Sequence, residues 1–385
     1  MIKHPSHIRL TFTLLLFLLC TIVPINAQPQ PKRQILRELA RGITIRYNRV
    51  EGMFGGYQTK LAPKSWQGFS LWTETGVGLE NKAARWLLGG GLEKPTYGIR
   101  LSIFDRTETE DYDIITTNEN TFFSLLFKGD YRDYFRAKNG FEIAGRYQLQ
   151  PKLNLNSTLI TYTYENMPVV ASQSIFRSNT PFRTNPSIIP GKIARFYLGL
   201  IYDTRRRAPR FYNAWHIRTF YERGFSEFAF DGLHLSAVRY QKTIWGNQAF
   251  ILRGRLTART HTAEQFLTDL GGIGTLRGFG IKEFTGNRMM LFNLDYLFRG
   301  DLLRQTPIPA AHLFNLIVFA DTGWTNLHPK GKSLLSGFNA NINDFKTNIG
   351  LAIGITEKLF RFNLARRFDN KGDPWTISVR FMQEF

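Results

Sequence analysis

From Gly42 to the C-terminus the chain falls into segments of roughly ten residues in which apolar and polar positions tend to alternate, separated by clusters of Gly, Pro, Asn, Asp and Lys. Alternation with period two marks a strand with one apolar and one polar face, and segments of this length and spacing fit membrane-spanning strands. Sixteen strands are predicted, at 43–60, 68–80, 83–95, 97–108, 123–137, 139–151, 153–168, 193–205, 211–225, 231–245, 247–262, 288–300, 312–324, 345–357, 358–368 and 374–385. An even number suits a closed barrel with both termini on the periplasmic side. The predicted fold class is all-β, a sixteen-stranded antiparallel transmembrane β-barrel over 43–385 with one loop folded inward.

Three segments show the two faces best. In the last, Trp375, Ile377, Val379, Phe381 and Phe385 share one face and Thr376, Ser378, Arg380 and Glu384 the other. In the eleventh, Leu252, Gly254, Leu256 and Ala258 alternate with Arg253, Arg255, Thr257 and Arg259. Three arginines turned to lipid would cost about 2–4 kcal/mol each near the midplane, so that face is assigned to the lumen. In the twelfth, Phe292, Leu294, Tyr296 and Phe298 are assigned outward, leaving Asn293 and Asp295 inside. The seventh is less regular: Leu155 and Leu159 set one phase and Ile160 and Tyr162 the other, which predicts a bulge. The stretch 169–192, rich in Ser, Asn and Pro, is predicted as a long loop.

Composition sharpens this picture. The mean hydropathy of -0.23 looks soluble, but in a barrel the lipid-facing and lumen-facing residues cancel. Aromatics reach 14%, with 33 Phe and 15 Tyr, as interfacial girdles require. The net charge of +20 would suggest nucleic acid in a cytosolic protein. Here the N-terminus reads as an export signal: Lys3 and Arg9, an apolar run from Leu10 to Ile25, then Ala27 at the cut. The expected organisation is signal peptide 1–27, a short periplasmic segment 28–42 with one small amphipathic helix, and the barrel. Nucleic acid is then no partner, and the charge points to polyanion or lipid contact. Cys20 is the only cysteine, so no disulfide is expected. No metal cluster, nucleotide loop or triad spacing is found among the histidines His216, His234, His261, His312 and His328, and neither cofactor nor enzymatic activity is expected.

The sharpest local signal is Leu276-Arg277-Gly278-Phe279, set among Gly271, Gly274 and Gly280 and followed by strands carrying Asp295 and Asp321. Glycines permit turns and close backbone approach, and a guanidinium held in a lumen needs a carboxylate partner. Asp321 projects inward if Val318, Ala320 and Trp324 face lipid, and Asp295 is the second candidate. By spacing alone an exposed loop arginine with two unrelated strand aspartates is the simpler reading.

This region resembles the BamA/TamA-type superfamily of outer-membrane assembly and translocation proteins, the bacterial surface antigen family, over about 200–385. The resemblance implies a sixteen-stranded barrel whose sixth outer loop enters the lumen with a Val/Leu-Arg-Gly-Phe/Tyr tip, here Leu276 to Phe279. The family's Phe-x-Asp-x-Gly strand motif is matched by Phe319, Asp321 and Gly323, so its Arg-to-Asp lock maps to Arg277 and Asp321. Asp203-Thr204-Arg205 is similar to a further family segment, with Asn213 standing where Gly would be commoner. A C-terminal strand carrying Trp375, Phe381 and Phe385 resembles the signal by which such barrels are recognised for assembly.

Family members that handle client proteins carry POTRA modules, for which Ala27 to Gly42 leaves no room; the resemblance is to a POTRA-less branch. It implies a non-enzymatic outer-membrane barrel that handles lipid through local bilayer thinning and a weak seam between Gly42–Val50 and Trp375–Phe385. Expected partners are phospholipid or lipopolysaccharide and a second copy of the chain. The alternative is an insertase or translocase served by a separate periplasmic protein, and a porin is a third reading.

Overall fold

The computed structural model describes residues 41–385 except 178, 206–212, 245, 261–262, 308, 330–332, 356–359, 370–371, 373 and 382–385. The expected signal peptide and nearly all of the N-terminal segment, together with His261 and Phe385, therefore lie outside the described residues.

Sixteen strands form one antiparallel meander in which each pairs with its sequence neighbours. The first eight are β1 (Ile43–Asn48), β2 (Gly52–Leu61), β3 (Phe69–Gly78), β4 (Ala84–Glu93), β5 (Tyr97–Glu108), β6 (Phe135–Gln150), β7 (Leu153–Asn166) and β8 (Gly191–Asp203). Then come β9 (Ala214–Ser226), β10 (Phe230–Lys242), β11 (Ala249–Arg259), β14 (Arg288–Phe298), β15 (Phe314–Asn326), β16 (Lys346–Ile355), β17 (Phe360–Arg367) and β18 (Trp375–Phe381). A separate two-stranded ribbon, β12 (Thr268–Leu270) with β13 (Phe284–Gly286), lies within the connection from β11 to β14. Helix α1 (Thr117–Phe127) follows β5, and the single turn α2 (Gly300–Leu303) follows β14. Connections at the end of the wall opposite the start of β1 are numbered as outer loops: L1 49–51, L3 109–134, L4 167–190, L6 260–287 and L7 327–345.

Two corrections to the predicted strands cancel in the count. The segment 43–60 is a hairpin, broken where the Asn48 side-chain oxygen accepts the backbone N–H groups of Val50 and Glu51, an Asx turn that runs into Gly52 at φ 69°. In the other direction, 123–137 and 139–151 are one strand, β6, preceded by α1. Thr116 caps α1 by accepting the Glu119 N–H, and Lys128 ends it in the left-handed region. The expected bulge in β7 is absent. Its alternation continues, with Ile160, Tyr162 and Tyr164 buried inward in a cluster with Phe104, Phe135 and Phe266. The irregularity sits on β6, where the register with β7 shifts between Lys138 and Phe141, at Asn139 with φ 52°.

Outward residues form a continuous apolar belt: Leu101 on β5, Phe292 on β14, Leu351 on β16 and Ile377 on β18 are each about half exposed or more, while Ser102, Asp295, Ala352 and Arg380 beside them are buried. This is the polarity of a wall facing lipid. Trp324 departs from its expected lipid-facing place, being buried beneath Phe338 of L7 with ring centroids 6.2 Å apart. Among the described residues no register pairs β1 with β18, and the sheet has two free edges there.

Candidate functional site

L6 returns from β11 into the space enclosed by the wall, and its tip is built by packing. Leu276 and Phe279 are buried with Leu270, Met289 and Leu291. Of the glycines around the tip, Gly271 and Gly272 take the left-handed turns, at φ 122° and 90°, whereas Gly274, Gly278 and Gly280 do not. Gly278 serves close approach: a Cβ there would lie 2.7 Å from Asn348 Cβ. Gly323 does the same from the wall, where a Cβ would meet Leu270 at 2.8 Å and Leu276 at 3.3 Å. Gly278→Ala should accordingly unseat the tip from β16, read as faster proteolysis of L6 and a lower temperature for loss of the folded gel band; a variant with both unchanged would show that the tip does not need this approach.

The seated tip brings Arg277 to Asp321. The backbone N–H, Nε and Nη2 of Arg277 donate to the Asp321 carboxylate at 3.1, 2.8 and 2.5 Å, and Asn293 and Asn348 add amide donors at 2.7 and 2.9 Å. The guanidinium also lies over the Phe319 ring, 3.8 Å from its centroid. Nη1 reaches Asp295 at 2.8 Å. Asp295 further accepts from Arg253 at 2.9 Å and from Arg361 at 3.1 and 3.3 Å. The two carboxylates are fully buried and hold three guanidiniums between them. Arg361 and Asn348 were not singled out from sequence; both lie on strands remote in the chain and carry no local motif.

The predicted basic lumen divides. Arg253 is bound to Asp295, and Arg259 to the buried Glu222 at 3.0 Å, so both serve the wall. Arg255 donates to the Asp113 carbonyl at 3.1 Å, while the Asp113 carboxylate pairs with Arg218 at 2.8 Å. Arg255, Arg218, Arg205 and His216 line a cavity of about 400 Å³ roofed by L3 and L6. Asp203 and Arg205 are a local pair, 2.7 Å apart, at the end of β8, with His216 at 3.2 Å.

A second node joins L3, L6 and the last strand. Arg380 donates from Nε and Nη2 to the buried Glu119 of α1 at 2.7 and 3.1 Å, and to the carbonyls of Ile273 and Ile114 at 3.0 and 3.1 Å. The Phe381 N–H donates to the same Glu119 at 2.8 Å. From the other edge, the Tyr47 N–H on β1 donates to Thr121 Oγ1 at 3.2 Å. Helix α1 thus contacts both free edges of the sheet. Trp375 and Phe381 lie on the outward face of β18.

At the outer end, Arg49 of L1 is fully buried, donating to Asp130, Asp133 and Asn185. Lys282 of L6 bridges Asp111, Asp133 and Asp269 at 2.8, 2.7 and 3.2 Å. Burial opposes charge on Lys282, but the three carboxylates outweigh it and raise its pKa well above the usual lysine value. Burial likewise pushes Asp133 up, and Lys282, Arg183 and Arg49 overcome this to hold it below the usual 3.8. A carboxylate depressed on folding stabilises above its unfolded pKa and loses that contribution as pH falls through the folded one. Through Asp133 the cap should therefore loosen as pH falls below about 4, against the contribution of Asp269, which burial raises, measured as L3 and L6 cleavage in vesicles; equal cleavage at pH 3 and pH 7 would remove the Asp133 pairs from the account.

No family model matches the sequence, and the search of curated proteins found no match. Among solved structures, BamA from Haemophilus ducreyi lacking POTRA domains 1-3 aligns with a TM-score of 0.54 at 12% identity, over 88% of this chain and 68% of that one. The chain has the fold of a BamA-type outer-membrane barrel. CdiB from Acinetobacter baumannii and CdiB from Escherichia coli align at TM-scores of 0.46 and 0.48, each at 12% identity over 88% of this chain. The chain spans 57% and 61% of the lengths of those two proteins.

Within this BamA-type barrel one His–Ser contact invites a catalytic reading. His328 Nε2 lies 2.8 Å from Ser336 Oγ on L7, but that hydroxyl donates to the Ser333 carbonyl at 2.8 Å. With its one proton on that carbonyl the hydroxyl would accept from the ring, the reverse of what general-base activation of a serine requires.

Proposed function

We propose that this BamA-type barrel resides in the outer membrane, is non-enzymatic and handles anionic lipid, admitting headgroups from the bilayer through the seam between β1 and β18. The observation that carries this reading is the coincidence of two strand edges that no register joins among the described residues with a lumen cavity lined by Arg205, His216, Arg218 and Arg255. A phosphate group entering there meets Arg218, whose carboxylate partner is Asp113, and Arg255, which among the described residues holds only the Asp113 backbone carbonyl, and fork-shaped donors suit phosphate oxygens. The arginines committed to Asp295, Asp321 and Glu222 keep the wall rigid around that space.

The test is transfer of fluorescent phosphatidylglycerol and phosphatidylcholine by the purified protein in vesicles. Arg218→Ser with Arg255→Ser should slow phosphatidylglycerol transfer at least several-fold and spare phosphatidylcholine, and cross-linking β1 to β18 should stop both. Unchanged transfer after efficient cross-linking sinks the seam mechanism.

The second reading is a protein insertase or translocase working with a separate periplasmic partner. It is favoured by the fold, which this chain shares with the BamA structure. Affinity purification that recovers a stoichiometric periplasmic protein, with lost outer-membrane barrels and normal lipid asymmetry on depletion, selects this reading over the first.

A further inference from the structure

We propose that α1 is a lipid-facing stave of the barrel wall, standing between β1 and β18 with its apolar side against the acyl chains of the bilayer. The inference concerns where the helix sits and holds whether the barrel moves lipid or protein.

Polarity comes first. Asn120, Thr121 and Ser124, at helical spacing, are buried together with Glu119, whereas Phe122, Phe123, Leu125 and Leu126 are half-buried and Phe127 is exposed. A helix on a water-soluble surface buries its apolar stripe and shows its polar one. Here the order is inverted, as for an element whose solvent is hydrocarbon. The polar side is fully used: Asn120 donates to Asp130 and to the Tyr134 hydroxyl, each at 2.8 Å, and accepts the Tyr131 N–H at 3.0 Å. Satisfying such groups inward is what a membrane segment requires.

Position comes second. The Phe122 ring stacks on Phe381, centroids 5.0 Å apart and planes at 15°. Phe381 belongs with Trp375 and Ile377 on the outward face of β18, where Ile377 is 65% exposed. A side chain packed on that face is on the lipid side of the wall. The contact is therefore continuous with the belt formed by the strands. Further along, Phe127 stacks on Phe176 of L4, 5.4 Å away, and Val169 and Val170 of the same loop are exposed.

The edges come third. A free strand edge in hydrocarbon leaves N–H and C=O groups without partners, which open sheets in lipid do not tolerate. The N–H groups of Phe381 and Tyr47 both find acceptors on α1. Side-chain oxygens of a helix here do what a neighbouring strand would do. With eleven residues the stave is about 16 Å long, roughly half the hydrocarbon thickness, so it covers part of the seam's height.

The test replaces Cys20, the chain's only cysteine, with serine and places single cysteines at Phe123 or Leu126 for spin labelling in phosphatidylcholine–phosphatidylglycerol vesicles. Collision rates with oxygen and with a water-soluble nickel chelate are compared with labels at Ile377, on the outward wall, and Leu335, on an exposed loop. The stave predicts that Phe123→Cys and Leu126→Cys follow Ile377→Cys, favouring oxygen several-fold; values matching Leu335→Cys overturn it. If a label disturbs folding, the unmodified protein is photolabelled with diazirine-bearing phosphatidylcholine and mapped by mass spectrometry. Adducts on 122–127 alongside β18 support the stave, and adducts on β18 with none on 122–127 refute it. Neither readout depends on transfer activity, so failure of the lipid-handling reading leaves this inference standing, and the converse also holds.

Discussion

Asp295→Asn is expected to damage the barrel more than Asp321→Asn, although Asp321 is the residue that the Phe-x-Asp-x-Gly motif points to. Asp295 is the shared counter-ion of Arg253, Arg277 and Arg361. Its amide would take that charge from all three guanidiniums at once and turn an NH2 donor towards donors. Breaking a buried ion pair from one side costs about 3–5 kcal/mol, and the lower end applies because the cavity reaches Arg253 and Arg361. Asp321→Asn, by contrast, leaves Arg277 bound to Asp295, a loss of roughly 2 kcal/mol as for a charged hydrogen bond. Heat-modifiability on gels ranks the variants: the folded form of Asp295→Asn should disappear at a lower temperature than that of Asp321→Asn. The reverse order would mean that the motif pair alone carries the lock.

Arg380→Ala has the second large expected effect. It strands Glu119, whose side chain is wholly buried, and removes donors from the Ile273 and Ile114 carbonyls. A loss of about 3–5 kcal/mol follows from the unpaired charge. Arg380→Lys should fall between wild type and alanine, because an ammonium keeps the charge and loses the two-pronged geometry. Hydrogen exchange resolves the claim spatially: α1 and the L6 segment 268–280 should both exchange faster in Arg380→Ala. Faster exchange confined to β18 would show that the arginine anchors only its own strand.

The rhythm of the wall was legible because period-two alternation survives in nearly every strand, and the tip of L6 because Leu-Arg-Gly-Phe is a local pattern. What escaped depended on distance. Glu119 and Arg380 are 261 residues apart, and nothing near either announces the other. Helix α1 was read as part of a strand over 123–137 because its apolar run, Phe122 to Phe127, is too short to separate the two periods. A signal was present: Thr116 and Glu119 have capping-box spacing, with Thr116 accepting the Glu119 N–H while the Glu119 carboxylate goes to Arg380. The break at Asn48–Glu51 escaped although Gly52 follows it at φ 69°, because the turn is made by the Asn48 side chain and a lone glycine inside an alternating segment marks a bulge as readily as a turn. The basic lumen was legible as a face but not as free charge, since pairing of Arg253 and Arg259 depends on Asp295 and Glu222 across the sheet.

The tethering of β18 to L3 and L6 has a consequence for the order of folding. Most neighbouring strands of the meander pair across short connections, and even L3, L4, L6 and L7 span fewer than thirty residues, so these closures are comparatively local. The contacts of Arg380 with Ile273, Glu119 and Ile114 instead close loops of 107, 261 and 266 residues, at an entropic cost about 3 kcal/mol above that of a ten-residue loop for the longer two. Those contacts have no partners until both loops are seated. The last strand should therefore dock late, onto a surface that the middle of the chain has already built, which makes completion of the barrel a single concerted step at the end of assembly.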